Sequence, residues 1–270
     1  MTFAILLYQK NMSGFLFNEI IFGPVKSRRL GVSLGINLLP THQKRCNYNC
    51  IYCECGWNTN IVSNETKLPN RSEVKVALTE RLVDMIKTKK TLDSITFAGN
   101  GEPCLHPEFA GIVDDVIELR NIYYPAAKTT VLSNAGLLHD DAIFSALKKL
   151  DNTILKLDAG TDKMYHLINR GSENISVHQI VENLKRFKGK LVVQTLFLKG
   201  KYNDEIIDNT TDEELNCWLK QIAEIKPEYV MIYPIDRATP ADNLLKIGRK
   251  KLEEIAAKVN AIGVATKVYD

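Results

Sequence analysis

The sequence predicts an α/β fold in which helices cover a sheet of parallel strands. Apolar residues repeat with helical and strand-like periods in turn along most of the chain. The length of 270 residues and a hydrophobic fraction of 45% suffice to bury one large core. A group of cysteines also follows the first predicted strand, and α/β folds place their sites at the carboxyl ends of strands. We therefore expect a single domain of alternating strands and helices.

Six strands are predicted, each as a short apolar run between polar or glycine-containing segments. The first is SLGINLLP at residues 33–40. The others lie at residues 93–99, 127–134, 152–159, 190–198 and 228–235. Strands that alternate with helices form parallel sheets with right-handed crossovers, so we expect these strands to lie side by side.

Six helices are predicted between and after these strands. The first spans residues 72–90, and its apolar stripe is Val74, Leu78, Leu82, Met85 and Ile86. The others are a helix bearing Phe109, Ile112, Val113 and Val116, one at residues 140–150, two that begin at Ser176 and Thr211, and one around Leu252, Ile255, Ala256 and Val259 that stops at Gly263. Gln179 and Glu214 give two of the helix starts the spacing of a capping box. Because an eight-stranded barrel needs two more units, the sheet is either doubly wound or an incomplete barrel of six strand–helix units.

Composition and charge argue against several classes of protein. Lys plus Arg number 35 and Asp plus Glu number 32, and the net charge of +3 does not by itself indicate nucleic-acid binding. The apolar run FAILL near the start is far shorter than a membrane span and lacks the flanking features of a signal peptide. We expect a cytoplasmic protein without a membrane segment. Met12 is a second possible start, and residues 1–11 carry no motif.

Four of the six cysteines lie within CNYNCIYCECG at residues 46–56. In a long chain from a reducing compartment, clustered thiols more often bind metal or perform chemistry than form disulfides. A structural zinc site usually has two separated pairs of ligands, whereas Cys104 and Cys217 are isolated. We expect Cys217 to be a small buried hydrophobic residue on its helix. A four-iron cluster held by three thiolates would leave one iron open to a ligand.

The spacing C-x₃-C-x₂-C, formed by Cys46, Cys50 and Cys53 with Tyr52 in the aromatic position, resembles the signature of radical S-adenosylmethionine (radical SAM) enzymes. The resemblance implies that the three cysteines hold a [4Fe–4S] cluster whose fourth iron is chelated by the amino and carboxylate groups of SAM. Cys55 is then surplus, and we expect it to point away from the cluster.

The same resemblance implies a partial (β/α)₆ TIM-like barrel in a single domain. The barrel would span residues 23–262, with the cluster loop at residues 41–56. Residues 1–22 would be an N-terminal extension and residues 263–270 a C-terminal tail.

The segment FAGNGEPCLHPEF resembles the Gly-Gly-Glu-Pro turn that binds SAM in this family, and it contains Asn100, Gly101 and Glu102. Asn100 stands where the general pattern has glycine. Glu102 could accept hydrogen bonds from the ammonium group of SAM. Ser133 and Asn134, in LSNAG, are implied to contact the SAM carboxylate or ribose, although such a tripeptide also suits a helix-capping loop.

Polar residues in two apolar strands extend the predicted cofactor site. Lys156 and Asp158 end one strand, and Gln194 lies in the next. Such residues either face the interior of the barrel or close a hydrogen-bonded network in the core. We assign Asp158 and Gln194, together with Tyr52, to the cofactor site.

The segments FGPVKSRRLGVSLGINLLP and YPIDRATP resemble the branch of the superfamily that contains the wyosine-type tRNA-modifying synthases. This implies phosphate binding by Arg28 and Arg29 beside Ser27, and substrate contact by Asp236 and Arg237. A salt-bridged strand edge is the alternative role of the two adjacent arginines. The chain departs from the wyosine enzymes, since no cysteine precedes the cluster signature.

The expected function is that of a radical SAM enzyme with a small metabolite, nucleoside, peptide or tRNA as substrate. It would need a one-electron donor such as flavodoxin or ferredoxin. One alternative is a radical SAM activase or modifier of a protein, peptide or tRNA base. A different class of alternative is an iron–sulfur electron carrier or binding module, which does not explain Glu102, Ser133 and Asn134 together.

Overall fold

The computed structural model describes residues 14–58 and 67–270. The chain divides into two compact units that alternate along the sequence. The first unit comprises Leu16–Cys46 and Thr59–Leu155, and the second comprises Met1–Phe15, Asn47–Asn58 and Lys156–Asp270. The features predicted at residues 1–11 and at Met12 lie outside the described residues, and the domain limits at residues 23 and 262 stay predictions.

The first unit is a sheet covered by helices. Its elements are β1 (Ile21–Ser27), β2 (Gly31–Ile36), α1 (Arg71–Lys87), β3 (Ser94–Phe97), α2 (Phe109–Tyr123), β4 (Lys128–Ser133), α3 (Asp141–Leu147) and β5 (Asn152–Lys156), whose last residue belongs to the second unit. Strands β2 to β5 pair in chain order and are parallel, whereas β1 pairs antiparallel with β2. All four residues of β3 are buried, as expected for a central parallel strand.

The second unit has the same alternating plan. Its elements are α4 (Asp162–Ile168), α5 (Val177–Lys185), β6 (Val192–Tyr202), β7 (Glu205–Asp208), α6 (Asp212–Ile225), β8 (Tyr229–Pro234), β9 (Leu244–Lys246), α7 (Arg249–Ala261) and β10 (Thr266–Val268). Strands β6, β8 and β10 are parallel neighbours. Strands β7 and β9 pair antiparallel with the carboxyl-terminal part of β6.

All six predicted strands and all six predicted helices form, and the predicted α/β class is confirmed. Within residues 14–58 and 67–270, the structure adds one α-helix, α4, a 3₁₀ helix at Pro103–Leu105 and four strands, β1, β7, β9 and β10. The apolar stripe of α1 is buried as predicted except at Ile86, which is 46% exposed. That part of the prediction is wrong because Ile86 lies in the last turn and faces solvent. Gly263 has φ +82°, which explains why α7 stops before it.

One of the two predicted capping boxes is complete. At α5, Ser176 and Gln179 exchange side-chain and backbone hydrogen bonds. At α6, Thr211 accepts from the backbone N–H of Glu214, but the Glu214 carboxylate accepts instead from the backbone N–H of Gly160, at 2.8 Å. The second box is therefore only half formed, because a tertiary contact takes the glutamate. No helix in the described parts of the chain is both long enough and apolar enough to cross a membrane.

Candidate functional site

In the first unit, three predicted cofactor residues meet where β3 and β4 end. The Glu102 carboxylate accepts from the Ser133 hydroxyl at 2.9 Å and from the backbone N–H of Asn134 at 2.7 Å. The backbone N–H of Cys104 adds a third hydrogen bond at 3.1 Å. Parallel strands bring their carboxyl ends to one edge of a sheet, so residues 31 positions apart become neighbours.

Glu102 is buried, with 2% of its surface exposed. Burial raises the pKa of its carboxyl above the ordinary value, although the hydrogen bonds from Asn134, Cys104 and Ser133 act in the opposite direction. The thiol of Cys104 also hydrogen-bonds to this carboxylate. The negative charge of the ionised carboxylate would attract a cationic donor such as an ammonium group.

The side chain of Asn134 connects this cluster of polar residues to the first predicted iron ligand. Its Nδ2 atom donates to Cys46 Sγ at 3.5 Å, and its Oδ1 atom accepts from the backbone N–H of Gly136 at 2.8 Å. The second bond fixes the amide so that the NH₂ group faces the thiol. Asn134 thus joins the predicted SAM residues to the predicted cluster ligand.

The turn after β3 is held against the beginning of the cysteine loop by backbone contacts. Arg45 and Gly101 form a parallel β-bridge, and the Arg45 carbonyl accepts from the backbone N–H of Glu102 at 3.2 Å. Gly101 has φ +138°, and a Cβ atom there would overlap the Arg45 carbonyl. Only glycine allows this approach.

The side chain of Asn100 is hydrogen-bonded to the backbone of neighbouring segments. Its Nδ2 atom donates to the carbonyls of Phe17 and Pro40, both at 2.8 Å, and its Oδ1 atom accepts from the backbone N–H of Phe17 at 2.8 Å. The side chain is fully buried. The side chain fastens two neighbouring segments to the turn, and the assignment of Asn100 to cofactor binding stays a prediction.

In the second unit, the loop with Cys50 and Cys53 packs against the end of α4. The backbone N–H of Asn49 donates to the Asn169 carbonyl at 3.1 Å, and that of Ile51 donates to the Ile168 carbonyl at 3.0 Å. The last carbonyls of a helix have no partner within the helix, so the loop satisfies them. The Asn169 side chain also donates to Cys50 Sγ at 3.6 Å.

Tyr52, the aromatic residue of the cysteine motif, belongs to a buried ionic network. Its hydroxyl donates to Asp158 and accepts from Lys156, and Lys156 Nζ lies 3.3 Å from Asp158 Oδ2. Burial and the Asp158 charge raise the pKa of Tyr52 well above its ordinary value. Burial alone would lower the pKa of Lys156, but nearby negative charge, Asp158 foremost, outweighs it and raises that pKa.

Asp158 makes further hydrogen bonds within this network. Its side chain is 0% exposed and also accepts from Asn169 Nδ2 at 2.8 Å and from the backbone N–H of Leu196 at 2.9 Å. Asp158 therefore takes part in a hydrogen-bonded network, and its assignment to the cofactor site stays a prediction. Gln194 is buried within β6. Its backbone carbonyl accepts a hydrogen bond from the backbone N–H of Leu157 at 3.0 Å.

The predicted substrate residues lie in different places. Arg28 and Arg29 occupy the turn between β1 and β2, at the amino end of β2 and so at the opposite end of the parallel strands from Glu102. Asp236 and Arg237 follow the carboxyl end of β8.

Arg237 contacts the cysteine loop within the second unit. Its guanidinium donates to Glu54 at 2.7 Å and lies 5.5 Å from the centre of the Phe15 ring. Glu54 separates Cys53 from Cys55 in the sequence. Of the four predicted substrate residues, Arg237 is therefore bonded directly to the predicted cluster loop.

The six cysteines, all of which lie in the described parts of the chain, form no disulfide with one another. Cys217 is half-buried on α6 rather than buried, which corrects the expectation for this residue. Among residues 14–58 and 67–270, no group of three or more His, Cys, Asp or Glu side chains has the arrangement of a metal site. The ligand set Cys46, Cys50 and Cys53 stays a prediction from the motif.

Asn169 is the residue that the sequence analysis missed. It is an isolated asparagine at the end of a short helix, 119 positions from the cysteine that it contacts. No spacing rule relates the two residues, so only the folded chain reveals the contact.

Comparison with known families gives a match over most of the chain. Residues 41–213 match the family model described as the Radical SAM superfamily. The chain is 31% identical over 254 residues to a protein of Brachyspira hyodysenteriae named GTPase Obg. The aligned region covers 93% of this chain and 35% of that protein. It is 33% identical over 185 residues to a UPF0026 protein of Helicobacter pylori, and that alignment covers 67% of this chain and 57% of the relative. The matches thus cover about a third to three fifths of these relatives.

Solved structures of the same fold include two informative ones. A radical SAM methyltransferase from Sphaerobacter thermophilus superposes with a TM-score of 0.64 at 14% identity, over 88% of this chain and 66% of that chain. A structure of TYW1 with a lysine-pyruvate adduct bound superposes with a TM-score of 0.54 at 15% identity, over 85% of this chain and 73% of that chain. These likenesses concern the fold, and they confirm the predicted partial TIM-like α/β barrel.

Proposed function

The chain belongs to the radical SAM superfamily, and from this premise we propose that it is an enzyme that reductively cleaves SAM at a [4Fe–4S] cluster held by Cys46, Cys50 and Cys53. When bound, the reduced cluster supplies the electron that breaks the bond between sulfur and C5′ of SAM, and the resulting 5′-deoxyadenosyl radical removes a hydrogen atom from the substrate.

One observation carries the proposal. Glu102 and Asn134, which the sequence assigns to SAM, are hydrogen-bonded to each other, and Asn134 also donates to the thiol of Cys46. Two consecutive hydrogen bonds therefore link the residues assigned to SAM with a cysteine assigned to the iron–sulfur cluster. A buried charge is costly unless it is paired and hydrogen-bonded, and the ammonium group of SAM would supply a cation that an iron–sulfur carrier without SAM lacks.

The donor chemistry also fits an iron–sulfur cluster. The three thiols follow one another within eight residues of the sequence, and thiolates are the ligands of such clusters. Two of them, on Cys46 and Cys50, each receive an amide N–H from a buried asparagine. N–H donors stabilise the negative charge of ligating sulfurs, and such contacts are typical of the surroundings of cluster ligands.

The protein's own groups have defined tasks in this proposal. Glu102 accepts a hydrogen bond from the ammonium group of SAM. Burial raises the pKa of this carboxyl, and the positive charge of the ammonium group acts in the opposite direction. Ser133 and the backbone N–H of Asn134 hold the two carboxylate oxygens in place. Arg45 and Gly101 keep this turn at the start of the cysteine loop.

The proposal includes a protein that delivers single electrons, such as flavodoxin or ferredoxin, as partner. We place this chemistry in a reducing compartment such as the cytoplasm, where thiols stay available to bind iron. Small metabolites, nucleosides, peptides and tRNA are the substrate classes to be tried.

The decisive experiment uses protein reconstituted anaerobically with iron and sulfide. After reduction with dithionite and addition of SAM, 5′-deoxyadenosine is the expected product. Bound iron and sulfide without cleavage, even with a physiological electron donor, would overturn the proposal in favour of an iron–sulfur carrier or binding module. Deuterium transfer from labelled candidate substrates into 5′-deoxyadenosine then identifies the substrate.

A further inference from the structure

The side chain of Asn169 joins a predicted cluster ligand to a buried carboxylate. Its Nδ2 atom lies 3.6 Å from Cys50 Sγ and 2.8 Å from Asp158 Oδ2. Asn169 is only 1% exposed. Since an amide nitrogen carries two hydrogens, it can donate to both acceptors at the same time.

Asp158 decides which end of the Asn169 amide faces the thiol. A carboxylate only accepts hydrogen bonds, so the NH₂ group and not the carbonyl oxygen of the amide must face it. The second hydrogen of the same NH₂ group then points toward Cys50. The carboxylate itself is held by the Tyr52 hydroxyl and by the backbone N–H of Leu196.

The backbone around Asn169 is fixed to the same loop. The residues on both sides of Cys50 donate to the end of α4, Asn49 to the Asn169 carbonyl and Ile51 to the Ile168 carbonyl. The thiol and the amide are therefore anchored by neighbouring contacts. Their proximity is a consequence of the loop packing and does not depend on one flexible side chain.

We propose that Asn169 is a positioning residue that holds the Cys50 thiolate and raises the reduction potential of the cluster. This inference rests on the proposed function. An N–H donor stabilises negative charge on sulfur, and a reduced cluster carries one more electron than an oxidised one. The hydrogen bond therefore favours the reduced state, which is the state that delivers an electron to SAM.

Asn209 provides a matched control in the same unit. It is a buried asparagine, 2% exposed, and its Nδ2 atom donates to the backbone carbonyls of Asp158 and Leu196, each at 2.8 Å. Its Oδ1 atom accepts from the backbone N–H of Leu198 at 2.9 Å. Asn209→Ala removes a comparable set of buried hydrogen bonds beside Asp158 without removing a donor from a cysteine.

The test compares the reduction potential of the cluster in reconstituted wild type, Asn169→Ala, Asn169→Ser and Asn209→Ala. Iron and sulfide analysis measures cluster content, circular dichroism checks folding, and a redox titration followed by electron paramagnetic resonance gives the potential. Serine keeps a polar side chain but has only one hydrogen to donate, so Asn169→Ser cannot donate to both Asp158 and Cys50. This variant decides the question if the alanine variant fails to fold.

We expect both Asn169 variants to make reduction up to about tenfold less favourable, which corresponds to a potential about 59 mV lower for one electron. Asn209→Ala should retain the wild-type potential. Unchanged reduction potentials in folded, cluster-containing Asn169 variants would overturn the inference and leave the proposed function intact. A shift of the potential in Asn209→Ala equal to that in Asn169→Ala would do the same. Wild type that takes up no iron and sulfide would overturn the proposed function itself.

Discussion

Arg45 and Gly101 form a parallel β-bridge between the residue before the first predicted cluster ligand and the turn that bears Glu102. The backbone N–H of Arg45 also donates to the Asn100 carbonyl at 2.8 Å. Backbone contacts are insensitive to side-chain rotation, so they hold Cys46 and Glu102 in a fixed relation.

Replacing Gly101 with alanine should destabilise the first unit by at least about 2 kcal/mol, because a Cβ atom overlaps the Arg45 carbonyl at a backbone conformation that only glycine adopts readily. Denaturant unfolding measures the loss. Gly263→Ala is the control: it also has a positive φ but nothing within 4 Å of the added Cβ. We expect a loss of about 1 kcal/mol there. Equal losses would show that overlap with Arg45 is not the cause.

Replacing Cys46, Cys50 and Cys53 together with alanine should abolish the absorbance band of a four-iron cluster, because these thiols supply its ligands. Cys55→Ala should leave the band, as should Cys217→Ala, which removes a thiol from α6. Absorbance with iron and sulfide analysis after anaerobic reconstitution gives the answer. Loss of the cluster in Cys55→Ala would contradict the assignment of ligands.

Glu102→Ala should keep its iron but bind SAM about ten- to a hundredfold more weakly, since a buried charged acceptor of the ammonium group is lost. Isothermal titration calorimetry on the reconstituted protein measures the affinity. Glu118→Ala serves as the control, because Glu118 is an exposed carboxylate that pairs with Lys75 on α1. An unchanged SAM affinity in Glu102→Ala would remove the role assigned to this residue.

Asp115 on α2 should make the first unit sensitive to acid. Its carboxylate accepts two hydrogen bonds from Arg71 and one from Lys75, and these partners, Arg71 first, lower its pKa. A carboxyl whose pKa is lower in the folded state stabilises the fold above its unfolded pKa of about 3.9, and this contribution is lost as the pH falls through the folded value.

Asp115→Asn should therefore cost about 1 kcal/mol at pH 7, a modest amount because Arg71 is half exposed. The difference from wild type should shrink as the pH falls below about 4. Urea denaturation at a series of pH values checks this. If the difference in the free energy of unfolding stays constant at the lowest pH values, the ionised form of Asp115 is not what stabilises the unit.

The elements that define the barrel could be predicted because their apolar patterns are strong and their lengths typical. The missed elements lack such signals. Strand β1 contains Gly23 and Pro24 and looks like a loop, while β7 and β9 have four and three residues. Helix α4 has seven residues with polar segments on both sides, whereas α3, equally short, lies in a longer helical pattern at residues 140–150.

The same distinction holds for the candidate site. Glu102, Ser133 and Asn134 could be predicted because each follows a recognisable strand, and parallel strands align their carboxyl ends. The hydrogen-bond partners of Asp158 could not be predicted, because a polar residue at a strand end can face either the interior of the barrel or the core. Its burial depends on Tyr52 and Asn169, whose approach follows from tertiary packing.

Asn100 provides a last prediction, because it stands where the general family pattern has glycine. Its amide makes three hydrogen bonds to the backbone of Phe17 and Pro40. Asn100→Gly leaves those groups without a side-chain partner and should cost about 2 to 4 kcal/mol in denaturant unfolding. In the control, Asn203→Gly, the asparagine is exposed and has φ +47°, a conformation that suits glycine, so we expect a change within about 0.5 kcal/mol.

SAM affinity separates the two roles open to Asn100. If its amide only fastens neighbouring segments, Asn100→Gly should bind SAM within about threefold of wild type under conditions in which the variant is folded, since the lost hydrogen bonds go to the protein backbone. A variant as stable as wild type that binds SAM tenfold more weakly would instead assign the side chain to the cofactor. In that case the contacts to Phe17 and Pro40 would contribute little to stability, and the glycine of the family pattern would differ from Asn100 in binding rather than in folding.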